Sequence, residues 1–93
     1  MVELGQVVMT RAVAYAVQEQ PLLAKVIQTF LARHSLGDWG VLGQEDKEAN
    51  DRALKDGDRL LSSYPCTVSP DGKIWIITEW DRSATTVLFP SDY

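Results

Sequence analysis

The sequence predicts an α+β domain in which two to three helices from the N-terminal half pack on one face of a three- to four-stranded antiparallel sheet. Three observations predict it. Leu23, Ile27, Phe30, Leu31 and His34 recur at helical spacing, leaving Lys25, Gln28 and Arg33 for solvent. Lys73 to Glu79 (Lys-Ile-Trp-Ile-Ile-Thr-Glu) is a run of β-branched and aromatic residues. Ser69-Pro70-Asp71-Gly72, just before it, has proline and glycine where a β-turn favours them.

Taken in order, Leu4 to Met9 is a short valine-containing apolar run, a candidate fourth strand. Thr10 can cap a first helical stretch from Arg11 to Gln18, where Ala12, Tyr15 and Ala16 share a face. Pro21 suits the first turn of the second helix, and Gly37 suits its left-handed end. A third helix is predicted from Gln44 to Lys55, stopped by Gly57, with Glu45 and Asp46 at its positive end. Its apolar face is thin (Ala49, Ala53, Leu54), so it is expected to be the most loosely held; Glu48 with Arg52 and Asp51 with Lys55 are acid-first pairs four residues apart. Arg59 to Val68, Lys73 to Glu79 and Ala84 to Phe89 then form a β-meander. No repeat or linker divides the 93 residues, which read as one domain.

Composition narrows the function classes. Thirteen acidic residues against nine basic ones give a net charge of −4, which disfavours a protein that neutralises nucleic-acid phosphates; only Arg11, Lys25 and Arg33 could form a local basic patch. The single cysteine, Cys66, excludes an intramolecular disulfide framework and a cysteine-only zinc site, and it has no basic neighbour to activate it. No apolar run spans a bilayer, and Met1-Val2-Glu3-Leu4 lacks the basic start of a signal peptide, so a cytoplasmic setting is expected. No cofactor loop or metal-ligand cluster is present in the pattern: Gly37-Asp38-Trp39-Gly40 is too short for a phosphate loop, and the acids from Glu45 to Asp51 scatter around a helix.

Two constellations could carry chemistry. His34, the only histidine, lies four residues before Asp38; this admits a carboxylate-oriented general base, or a histidine capping the carbonyls at a helix end. The cap is favoured, because no nucleophile accompanies the pair. Around Arg82, the loop Thr78 to Thr86 carries two carboxylates and several hydroxyls; it reads as an anion site or as an ordinary hairpin loop. An enzyme would need His34, Asp38 and Arg82 in one cleft.

The alternative is a binding module. Ile74 and Ile76 point to one side of their strand and Trp75 and Ile77 to the other. So few helices cover only one side, which leaves Trp75 and Ile77, together with the Trp39 and Trp80 region, as candidates for holding a protein partner or a second copy. Trp39 also reads as a core plug between helix and sheet.

The segments Phe30-Leu31-Ala32-Arg33-His34, Gly37-Asp38-Trp39-Gly40, Asn50, Ala53-Leu54, Gly57, Arg59 to Tyr64, Lys73 to Glu79 and Asp81 to Pro90 resemble a family of small bacterial proteins found in plasmid- and phage-linked contexts. Members are described as plasmid-related or as a type I restriction methylase subunit, and the resemblance runs from about residue 28 to 93. It implies a link to mobile elements and brings no catalytic residues with it. Methyl transfer requires a doubly wound parallel sheet with a glycine-rich cofactor loop, and neither is readable here.

Overall fold

A computed structural model describes residues 1–93. It is an α+β fold of three helices and one four-stranded sheet. In chain order these are β1 (Gln6–Met9), α1 (Arg11–Glu19), α2 (Leu22–Ser35), α3 (Gln44–Asp56), β2 (Leu60–Pro65), β3 (Lys73–Thr78) and β4 (Ala84–Leu88), then a short 3₁₀ turn at Pro90–Asp92.

The meander forms as the sequence predicts: β2 and β3 pair antiparallel, as do β3 and β4, and Gly72 N–H closes the predicted turn onto the Ser69 carbonyl at 3.0 Å. The expectation of a purely antiparallel sheet is corrected at β1, which pairs parallel with β4 to give the order β1-β4-β3-β2. The reason lies in the connection. A hairpin forces neighbouring strands to alternate in direction, whereas β1 reaches the sheet again only after three helices and two strands, and such a crossover permits parallel pairing.

All three helices contribute to apolar clusters on one sheet face. Val13 of α1 and Leu23, Ile27 and Phe30 of α2 pack with Tyr64, Ile74, Ile76 and Val87; Ala53 of α3 joins Trp39, Leu60 and Val2. In α1 the inward residues are Val13, Ala16 and Val17, while Tyr15 is exposed, so the face expected from Ala12, Tyr15 and Ala16 is rotated. Thr10 caps this helix as expected, accepting from Val13 N–H at 3.4 Å. Helix α2 ends in a Schellman motif: Gly37, at φ +83°, donates to the His34 carbonyl and Asp38 N–H donates to that of Arg33.

The outer edge of β2 is finished by three separate devices. The Asn50 side chain, buried on α3, accepts from Leu61 N–H at 3.1 Å and donates to the Leu61 carbonyl at 2.6 Å. Ser63 N–H donates to the Trp39 carbonyl, and its own carbonyl accepts from Val41 N–H. Pro65 has no N–H to satisfy. The Trp39–Val41 segment lies so close that a side chain at Gly40 (φ +78°) would collide with the Ser63 backbone. Helix α3 is therefore held by Asn50 as well as Ala53, and Ala49 and Leu54 are exposed. The two predicted acid–base pairs on this helix do not form; Asp51 instead accepts from Trp39 Nε1 at 3.1 Å.

Replacing Asn50 with alanine strands both backbone groups of Leu61. We expect Asn50→Ala to cost about 2–3 kcal/mol in urea unfolding, against less than about 0.5 kcal/mol for exposed Lys55→Ala on the same helix. Equal losses for the two variants would refute the clasp.

Candidate functional site

His34 sits at an inward position of α2, opposite three hydroxyl residues that take inward positions in three different strands. Its Nδ1 pairs with the Ser62 hydroxyl at 2.5 Å and its Nε2 with the Thr78 hydroxyl at 2.9 Å. The Thr78 hydroxyl pairs with that of Thr85 at 2.7 Å, and Thr85 donates to the Leu4 carbonyl at 2.7 Å. A carbonyl can only accept, so the direction of the whole chain follows from its last bond. Thr85 spends its proton on Leu4, Thr78 must donate to Thr85, His34 Nε2–H must donate to Thr78, and Ser62 must donate to Nδ1. One neutral tautomer of His34 satisfies every member.

This arrangement replaces both readings of His34. Its ring does not cap the helix carbonyls; it bonds strand hydroxyls. At 0% exposure it meets no solvent, and burial, with a smaller contribution from the Arg82 cation, pushes its pKa down to about 4. Asp38, its expected orienting partner, is turned away by the Schellman motif. Its carboxylate binds Arg33 Nε at 2.7 Å and accepts from Gly40 N–H, and the Arg33 guanidinium holds its pKa below the ordinary carboxylate value. Arg33 lies over the Tyr64 ring at 4.7 Å, and the Tyr64 hydroxyl donates to the Asp38 carbonyl at 2.6 Å.

Arg82 has φ +61° and directs its guanidinium at carbonyls: Asp58 at 2.6 Å, Glu79 at 3.1 Å and Ala53 at 3.2 Å. It clasps the β3–β4 hairpin to the C-terminal end of α3, where a cation also meets the helix dipole favourably. In the same hairpin, Asp81 accepts from the backbone and hydroxyl of Ser83. His34, Asp38 and Arg82 share no hydrogen bond, and none of the three surface cavities is lined by any of them.

The partner-binding candidates separate as well. Trp39 is 4% exposed and stands edge-on to His34 at 5.6 Å, so it is a core plug and presents no surface. Trp80 is exposed on the hairpin but lines no cavity. Trp75 and Ile77 do lie on the sheet face opposite the helices, and neither belongs to the two apolar clusters. Trp75 is half-buried and Ile77 is buried between strands. With Leu61, Arg59, Leu60 and Tyr93 they line a groove of about 290 Å³. The Tyr93 ring meets Trp75 edge-on at 5.9 Å, and Arg59 lies over that ring at 5.4 Å.

No helix is long and apolar enough to cross a membrane, and no three His, Cys, Asp or Glu side chains converge as metal ligands would. Sequence reasoning missed Ser62, and it grouped Thr78 and Thr85 with the Arg82 loop, whereas the structure joins them to His34. The available signal was a hydroxyl at an inward register position in each of three adjoining strands, with one polar residue on the facing helix stripe.

Because the fold holds His34 neutral, the unfolded chain binds a proton more readily between its ordinary pKa near 6.5 and the folded value of about 4. Stability is therefore complete above pH 6.5 and falls with acidification through that window, by about 2 kcal/mol at pH 5. Urea unfolding from pH 7.5 to 5 should show this loss, and the difference between wild type and His34→Gln should isolate it. A histidine ring titrating near 6.5 by NMR in the folded protein would disprove the assignment. Comparison with protein-family models, curated proteins and solved structures finds no match to this chain.

Proposed function

We propose that this chain is a non-enzymatic protein-binding module whose docking site is the Trp75 groove on the helix-free face of the sheet. The carrying observation is that all three helices serve one face, while the other keeps Trp75, Ile77 and Leu61 around an open depression. A volume of about 290 Å³ is at or below the small end of the ~300–1,000 Å³ of small-molecule pockets, and suits one large apolar side chain. Arg59 stands at its rim with only a loose ion pair, 4.0 Å from Glu79, and offers a cation to an incoming carboxylate. The occupant is thus a protein segment with a large apolar anchor next to an acidic residue. The resemblance to small plasmid- and phage-linked proteins suits such an accessory module. An enzymatic reading would need a base that reaches substrate, and His34 is enclosed.

Selection of a random-peptide library on the immobilised protein tests this reading. Enriched peptides should pair an aromatic or large aliphatic residue with Asp or Glu. Their affinity should fall at least about tenfold on Trp75→Ala, a hot-spot-sized loss, and less on Arg59→Ala. Absence of enrichment, or peptides that bind Trp75→Ala as tightly as wild type, would refute it.

A further inference from the structure

The two edges of the sheet are finished differently. Every outward backbone N–H of β2 is bonded or absent, through Asn50, the Trp39–Val41 segment and Pro65. At the other edge, β1 carries no such device. Its four residues contain no charge and no proline, all four are exposed, and Val7, Val8 and Met9 are 43%, 38% and 43% accessible. Natural sheets seldom leave an apolar edge bare unless something pairs with it.

The backbone directions at this edge are fixed. Gln6 and Thr10 N–H groups donate to the Ser83 and Val87 carbonyls of the β4 side. Alternation along a strand then turns the N–H and C=O of Val7 and Met9 outward.

We propose that β1 is a self-docking edge: two copies pair their β1 strands antiparallel about a twofold axis at Val8, joining two sheets into one. In this register Val7 of each copy faces Met9 of the other and exchanges both N–H···O bonds with it, while the two Val8 residues face each other across the axis. The ends are complementary in charge. Each strand is preceded by Glu3 and followed by Arg11, both exposed and neither in an ion pair within the chain. Continuing the antiparallel register puts Arg11 of one copy opposite Gly5 of the other, two residues from Glu3, twice by symmetry, whereas a parallel pair would set like charges together. Because the β2 edge is already finished, growth stops at two copies and yields a closed dimer in place of a fibre. No residue of β1 lines the Trp75 groove, so dimerisation and peptide capture succeed or fail independently.

Sedimentation equilibrium from micromolar to millimolar protein reads the outcome directly. Wild type should fit a monomer–dimer equilibrium with no larger species. Val7→Pro removes an outward N–H that β4 does not use, and should be monomeric with an unchanged circular dichroism spectrum. Should that variant fail to fold, Val8→Glu, which places like charges face to face at an exposed position, should also be monomeric. Glu3→Arg should weaken the dimer about tenfold, and Glu3→Arg with Arg11→Glu should restore it. A monomeric wild type at millimolar concentration, open-ended association, or a folded Val7→Pro or Val8→Glu variant that dimerises like wild type would overturn the proposal.

Discussion

The interaction on which the architecture turns is the buried proton chain running from Ser62 through His34, Thr78 and Thr85 to the Leu4 carbonyl. It ties α2 to β2, β3 and β4 and to the segment leading into β1. Apolar packing tolerates small slips between a helix and a sheet; a directional chain with one satisfying tautomer does not. If α2 shifted by a turn or β2 by a residue, a buried hydroxyl or imidazole would lose its partner at a cost of about 1–3 kcal/mol. No buried polar side-chain atom is left without a partner, so the network specifies register without leaving a polar group stranded.

Around that centre, side-chain-to-backbone clasps do work that a larger core would do by burial. Asn50 reproduces a strand neighbour for Leu61, and Arg82 gathers carbonyls from α3, from the loop before β2 and from β3's end. Helix α3 places only Ala53 and Asn50 fully inside, and Ala53 offers little area. Its position is set by hydrogen-bond geometry more than by apolar contact. A chain of this size buries a smaller share of its surface than larger domains, and such clasps are one means of fixing a helix under that limit.

How far the fold could be read in advance follows from the range of the forces involved. The α2 stripe, the Gly37 and Gly57 helix ends, the Thr10 cap and the Ser69–Gly72 turn are local, and each was legible. The His34 partners lie 28 and 44 residues away, beyond any periodicity in one element. A histidine four residues from an aspartate suggested a pair; the left-handed Gly37 turned the carboxylate to Arg33 instead. The direction of β1 was hidden for a related reason, since a strand's own residues say that it pairs but not with which neighbour. Asn50 was overlooked because a thin apolar face draws attention to its alanines, whereas the residue that docks it is polar.

In the proposed dimer the open face and the bare edge are connected by symmetry. A twofold axis at β1 that continues the sheet must stand perpendicular to it, so both helix layers fall on one side and both Trp75 grooves on the other. The path between the two β3 strands crosses β4 and β1 of each copy, five strand spacings of about 4.8 Å, or roughly 24 Å. Two grooves at that separation on one continuous surface can engage two anchors of a single partner. The second anchor then binds at the high effective concentration set by the first, which lets weak single-residue docking add up to firm attachment. In the proposed dimer that gain follows from geometry alone, and a monomer with the same groove would lack it.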